Sequence, residues 1–241
     1  MSNFGAGINF VFTGIGEFFR HKVLWKYAAI PFVLTLVLYT ALFYWGMYIF
    51  LPQIIASMEN FFAGRWFEFL YNSCRILTVG SFYLIFFALT LFFAANIFEI
   101  SGSWFFSRMV RHYQSRVLKE NIVSLPWHRE VRNVCDCVLF STGTLTIYLL
   151  LVIISFFLPV IGQIIIVPLV GFRYAKTYCS EAIFNRGLLL RDINVVFNGR
   201  SGLLFGFGSM VFLLFLIPFV PIFLIPGFVI GGTLLYHHRN D

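Results

Sequence analysis

CVLFSTGTLTIYLLLVIISFFLPVIGQIIIVPLVGF, residues 137–172, carries no charged side chain and is broken near its middle by proline. Roughly 35 helical residues rise on the order of 50 Å. That is too long for one crossing of a bilayer core about 30 Å thick, and short for two full crossings with a turn. A second uncharged stretch, Leu203 to Tyr236, has the same length problem and the same kind of break. The breaks are Leu158-Pro159-Val160-Ile161-Gly162 and Ile217-Pro218-Phe219-Val220-Pro221. Proline removes an N–H and fixes φ, which ends a helix and favours a turn. Two helical hairpins that dip into the membrane and return fit this pattern best. Re-entrant backbone survives at membrane depth only when buried in protein or lining a cavity, which points to an assembly, a pore, or both. The first arm, Cys137 to Leu158, is also long enough to cross alone, so two full crossings stay open for that hairpin.

Composition agrees with a bilayer as the main solvent. The chain has 241 residues, 60% hydrophobic, 20% aromatic and 11% charged, with 33 Phe, and a mean hydropathy of +0.87. Soluble domains are far less apolar. The expected fold is therefore all-α and integral to the membrane, with residues 1–241 forming one membrane domain. The net charge of +7 has its usual membrane explanation, Lys and Arg gathered in loops that stay inside. No basic run belongs to a soluble module that could present it to nucleic acid, so no nucleic-acid partner is expected. The first apolar run begins near Tyr27 and lacks an Ala-x-Ala-like exit, so it reads as an anchor that stays.

Along the chain, Phe4, Ile8, Val11, Phe12, Ile15, Phe18 and Phe19 recur at helical spacing opposite Asn9, Thr13, Gly16 and Glu17. This predicts an amphipathic helix lying in the interface, within an N-terminal segment 1–26 that ends in Arg20, His21, Lys22 and Lys26. Spanning helices are expected over 27–51 and 76–98, with a loop from Pro52 to Arg75 between them. The second continues as a cytoplasmic helical extension over 99–136. There Trp104, Phe106, Met109, Val110, Tyr113 and Val117 hold one face, and Arg108, Arg111, His112, Ser115, Arg116 and Lys119 the other. The hairpins 137–172 and 203–236 follow, joined by a basic linker from Arg173 to Arg200. Lys and Arg number 3 before Tyr27, 2 in the Pro52–Arg75 loop, 6 over 99–136, 5 in the linker and 1 in the tail. Hairpins keep all four richer or terminal basic segments on the cytoplasmic side, whereas a single crossing would put a basic segment outside. Pro159 and Pro168 in the first hairpin correspond to Pro218 and Pro226 in the second, with Gly171 and Gly231 beyond. An internal repeat and a shared apolar composition both account for that likeness.

Catalytic chemistry has little to work with. None of the five histidines lies inside an apolar run, and no phosphate loop, His-Glu-x-x-His or acidic pair within the bilayer is present. Cys135 and Cys137 would point about 200° apart on a helix, so the four cysteines form no metal framework. No catalytic residue, metal or cofactor is expected. Gln163 and Asn96 are the polar side chains placed to face a path. Gln163 could equally cap backbone groups freed by the turn before it. Gly202 and Gly206 form a small-xxx-small pair suited to close helix contact. At the start of the first spanning helix, Lys22, Leu24, Trp25 and Lys26 are the candidate anion-binding residues. Free N–H groups, the helix dipole and two ammonium groups favour an anion there. A cytoplasmic anchor, with Trp25 at the interface and Lys snorkelling, explains the same residues.

The order of these segments resembles the CysZ-type sulfate permeases within the wider etoposide-induced-protein-like membrane family, over nearly the whole chain. Leu158-Pro159-Val160-Ile161-Gly162-Gln163 is similar to the family's Pro-x-Ile-Gly-Gln turn. Ile217-Pro218 with Pro226, Gly231 and Thr233 matches its C-terminal end, and Tyr178-Cys179 with Asn185 its Tyr-rich linker. The resemblance implies a homo-oligomeric bacterial inner-membrane permease or channel for a small anion, sulfate first. It also implies an anion site at Val23, Leu24, Trp25 and Lys26, where the sulfate permeases have Gly-Leu-Arg-Arg. Only Leu24 and the charge of Lys26 are kept, and the permissive glycine and a forked guanidinium are lost. Ser180-Glu181-Ala182 stands where the linker usually reads Asp-Tyr-Pro. The partners expected are the lipid bilayer, a sulfate-like anion and further copies of the chain. The alternative is a non-transporting membrane-organising protein of the same family.

Overall fold

A computed structural model describes residues 3–61, 68–120, 122, 126–157, 159–188, 192–217 and 220–238. All regular structure among them is helical. The order is α1 (Asn3–Arg20), a 3₁₀ turn (Lys22–Leu24), α2 (Trp25–Trp45), a π-helical turn (Gly46–Phe50) and α3 (Leu51–Phe61). Then follow α4 (Glu68–Arg116), α5 (Trp127–Phe157), α6 (Pro159–Phe184), the short α7 (Ile193–Val196), α8 (Ser201–Phe215) and α9 (Val220–His238). Among the described residues, Lys22–Phe61 and Val220–His238 are long and apolar enough to cross a membrane. Both proline breaks of the sequence reading separate helices, α5 from α6 and α8 from α9. Leu158 and Pro218 themselves lie outside the described residues. Contacts divide the chain into one unit of residues 1–32 with 95–241, and another of residues 33–94.

In the smaller unit the helix runs further than the sequence suggested. The expected loop from Pro52 is helical to Phe61, and α4 already begins at Glu68. Proline at 52 should break a helix by clashing with a carbonyl one turn back. The π turn just before it, closed by the Leu51 amide on the Gly46 carbonyl, widens the backbone locally and lets the helix continue. Gly46 lets the Phe82 ring come close, since a Cβ there would stand 2.8 Å from it. Phe43 packs on Phe86 with ring centroids 5.1 Å apart, and the Thr78 hydroxyl donates to Met58 Sδ at 3.3 Å. Most apolar side chains from Val33 to Phe50 are exposed, Tyr48 at 68%. Such a helix needs hydrocarbon or another protein around it.

The larger unit is a bundle in which α1 packs on both α8 and α9, and α6 packs on α5, α8 and α9. The amphipathic helix α1 therefore has one side on protein as well as an exposed apolar side. Its buried face is Gly7, Val11, Gly14 and Phe18, while Phe4, Phe12 and Phe19 are exposed. Bulky apolar residues alone mis-phase the helix, because the contact is made by glycines that let backbones touch. A Cβ on Gly7 would overlap the Leu203 carbonyl, and one on Gly14 would overlap Gly231. Gly206 faces the Phe4 carbonyl, Gly208 the Gly171 carbonyl and Gly232 the Tyr178 carbonyl, each with no room for a side chain. Gly206 of the small-xxx-small pair therefore does make a close helix contact.

The basic linker is also more ordered than expected. Residues 173–184 continue α6, and Tyr174, Ala175, Tyr178, Cys179, Ala182 and Ile183 are core. Arg173 is accommodated by lying over the Phe140 ring at 4.2 Å, donating from Nε to Thr144 Oγ1 at 2.9 Å and from Nη2 to the Phe140 carbonyl at 3.2 Å. The helix ends at Gly187, whose φ of 78° closes a Schellman turn. The Gly187 amide donates to the Phe184 carbonyl and the Leu188 amide to that of Ile183.

Candidate functional site: a basic elbow and a buried polar cavity

The elbow between α1 and α2 is built from the C-terminal turn of one helix and the first turn of the next. The His21 amide donates to the Glu17 carbonyl at 3.1 Å and the Leu24 amide to the His21 carbonyl at 2.8 Å. The Trp25 amide donates to the Lys22 carbonyl, and the Trp25 indole Nε1 to the Phe18 carbonyl at 3.2 Å. Two of the amides assigned to an anion by the sequence argument, those of Leu24 and Trp25, are thus spent on the turn. Leu24 is buried at 1% exposure, whereas Trp25 is 46% exposed. Lys22 and Lys26 are exposed, and Lys26 Nζ lies 5.0 Å from the Tyr27 ring centroid.

The carboxylate of Glu17 already has its partners within the elbow and on α4. It takes the His21 ring nitrogen at 3.1 Å, the Tyr113 hydroxyl at 3.2 Å and a looser ion pair to Arg20 at 3.7 Å. Burial, and then the neighbouring Glu17 charge, push the Tyr113 hydroxyl well above its usual range, so it remains a neutral donor.

What sequence reasoning missed is the partner of Lys26. Tyr27 meets His112 of α4 with ring centroids 6.2 Å apart. His112 is lowered from its ordinary value by burial first, then by the charges of Lys26 and Arg116. Arg108, His112 and Arg116 share one stripe of α4 at four-residue spacing, and His112 in its middle comes up against the first turn of α2. The signal in the sequence was the matching four-residue step in Lys22 and Lys26. Only packing brings the two stripes together. Arg108 is held by the Trp104 ring, 3.7 Å away. Uncompensated like charges in this spacing repel, and a bound anion relieves that repulsion.

Asn96 is buried on α4 at 7% exposure. Glu99 and Ser103 lie three and seven residues on, along the same face. With Thr177, Tyr178 and Glu181 of α6, Glu99 and Ser103 line a cavity of about 30 Å³, room for roughly one water. The Tyr178 hydroxyl donates to Glu99 Oε2 at 3.5 Å and is raised well above its usual range by burial, then by Glu99. The sequence reading found no acidic pair within the bilayer. The fold brings two carboxylates to one cavity from residues 82 positions apart, Glu99 and Glu181. The side chain of Gln163 lies outside the described residues, and its backbone is helical at the start of α6.

A second polar cluster follows Tyr113 at the end of α4. Glu120 takes Arg186 Nη2 at 2.7 Å, His237 Nδ1 and Gln114 Nε2 at 3.0 Å. Asn185 donates to Gln114 Oε1 at 2.7 Å. It ties the ends of α4, α6 and α9 together.

Residues 10–226 match the family described as sulfate transporter CysZ/etoposide-induced protein 2.4. No curated protein matches the chain.

Proposed function

We propose that this chain, which belongs to the sulfate transporter CysZ/etoposide-induced protein 2.4 family, is a multi-pass permease or channel for a small inorganic anion, with sulfate the leading substrate. The observation that carries the reading is the approach of the first turn of α2 to α4, where Tyr27 meets the His112 ring and the charges of Lys26 and Arg116 bear on the same imidazole. A dianion is matched by several positive groups at once. With ammonium and imidazole groups in place of paired guanidinium forks, binding is weak. Weak binding suits passage, because a site along a pathway must release what it captures.

In this reading Lys22, Leu24, Trp25 and Lys26 form the cytoplasmic anion site, Leu24 and Trp25 as its scaffold and the lysines as its charge. Asn96 and Gln163 face the path. The hairpins α5–α6 and α8–α9 are re-entrant within one membrane domain, and copies of the chain assemble in a bacterial inner membrane to shield them. The test is flux through the purified protein in liposomes, with sulfate, sulfite, phosphate and chloride compared side by side. Sulfate flux above empty vesicles that falls severalfold in Lys26→Ala is the expected result. No flux of any of the four anions would remove the transport reading and leave a membrane-organising role.

A further inference from the structure

A second feature of the elbow is independent of anion transport. On the outside of α1 and α2 lies an open groove of about 240 Å³. Its rim is Phe19, Trp25, Phe32 and Phe223, with Pro226 buried behind them, and its wall drops at Ala28. Small side chains at 28 and 29 leave the space, and the buried rings of Phe18 and Phe98 close its floor. The rim is exposed, with Phe19 and Trp25 at 46%, Phe32 at 39% and Phe223 at 58%. Aromatic pairs hold its shape: Phe19 meets Trp25 edge-on with centroids 6.1 Å apart, and Phe32 meets Phe223 at 5.8 Å.

The groove has two different ends. From Trp25 to Phe32 it follows two turns of α2, about 10 Å of rise. At the Trp25 end stand Arg20, Lys22 and Lys26 against the single carboxylate of Glu17, and the Arg20 side chain is 79% exposed. At the Phe32 end every neighbour is apolar. An amphipathic indole is the side chain favoured at headgroup depth. Cations at the headgroup end with an empty hydrocarbon slot behind them form the complement of an anionic phospholipid.

We propose that this groove binds one acyl chain of an anionic phospholipid, with Arg20 and Lys22 meeting its phosphate. A zwitterionic lipid fits the slot equally well but brings a further cation to the basic end, so the selection is for net negative headgroups. The small-anion site shares Lys22 with this headgroup end but draws on Lys26 and α4 besides, whereas Arg20 and the apolar slot belong to the lipid alone, so the two ligands are distinguishable.

Bromine-labelled acyl chains quench tryptophan on contact, which makes Trp25 the reporter. The full chain with Trp45, Trp66, Trp104 and Trp127 changed to Phe is reconstituted in phosphatidylcholine containing a few per cent of brominated lipid. Brominated phosphatidylglycerol is expected to quench Trp25 severalfold more than the same fraction of brominated phosphatidylcholine, and sulfate is expected not to reverse it. Arg20→Gln with Lys22→Gln should bring the two lipids level, and Ala28→Leu should reduce quenching by both. Equal quenching by the two lipids in the parent overturns the proposal. So does absence of quenching, the result expected if a second copy of the chain covers the groove. The unaltered chain gives an independent reading by native mass spectrometry. It should retain phosphatidylglycerol over phosphatidylcholine and lose that preference with Arg20→Gln and Lys22→Gln, whereas no preference in the parent counts against the site.

Discussion

The indole of Trp25 donates to the carbonyl of Phe18 across 3.2 Å, closing the last turn of α1 with a side chain from the first turn of α2. The residue that stands where the sulfate permeases have an arginine is therefore a structural part of the elbow. It satisfies a carbonyl that the helix end would leave unpaired. The same position can carry either a clasp or a second charge, and here it carries the clasp.

Trp25→Phe should lose that hydrogen bond and lower stability by about 1 kcal/mol, read as a small drop in thermal midpoint with sulfate affinity unchanged. Trp25→Arg should instead strengthen sulfate binding by adding a forked donor, while Lys26→Ala should weaken it with membrane insertion and assembly intact. Isothermal titration with sulfate separates these variants. If Trp25→Arg and Lys26→Ala both match the parent in affinity, the elbow is an anchor and not an anion site.

The pH dependence follows from His112. Its value is lowered by burial, Lys26 and Arg116, so it is neutral at pH 7 and gains charge only as pH falls below its ordinary value near 6.5. A folded state that binds the proton less readily than the unfolded chain is penalised on acidification, and the penalty is absent above that value. A bound dianion reverses the sign by favouring the imidazolium. Sulfate affinity should thus rise between pH 7 and pH 5, and His112→Gln should flatten the profile. A flat profile in the parent would place the anion elsewhere.

Glycine contacts can be tested by pairs of substitutions. Gly208→Ala places a methyl into the Gly171 carbonyl, and Gly206→Ala one into that of Phe4. Each should cost roughly 1–3 kcal/mol as overpacking. Gly16→Ala, at a position open on all sides, should be neutral or stabilising by about 0.5–1 kcal/mol. Thermal unfolding in detergent ranks the three, and equal effects at Gly16 and Gly208 would contradict the close contact of α6 with α8.

Topology is testable by single cysteines in a cysteine-free background. Impermeant reagent should reach a cysteine at position 62 from outside, and none at His112, Arg191 or Asn240. A spin label at Ile161 should be quenched by lipid-soluble and not by aqueous reagent. External labelling at Arg191 would mean a single crossing and would sink the hairpin reading of residues 137–172.

The helical, membrane-solvated character of the chain was legible in the sequence. Long uncharged runs and their prolines are properties of consecutive residues, and the bilayer acts on those directly. The break between α5 and α6, the long continuation of α4 past Phe98 and the close contact at Gly206 were all readable in this way. The π turn that carries the chain through Pro52 was not, because it is a local compromise between one ring and one carbonyl and leaves no periodic trace. The buried face of α1 was not legible for a related reason. Glycine scores low as an apolar residue, yet it is the one that lets α1 touch α8 and α9 backbone to backbone. Lys22, Leu24, Trp25 and Lys26 were singled out from charge and helix position, but only the fold shows Leu24 buried and the Trp25 indole bonded to the Phe18 carbonyl, with the two lysines exposed. The meeting of Lys26 with His112, and of Glu99 with Glu181, belongs to tertiary structure alone. Each pair joins residues about 80 positions apart, and no local pattern encodes which helix faces will meet once the glycines have set how closely they pack.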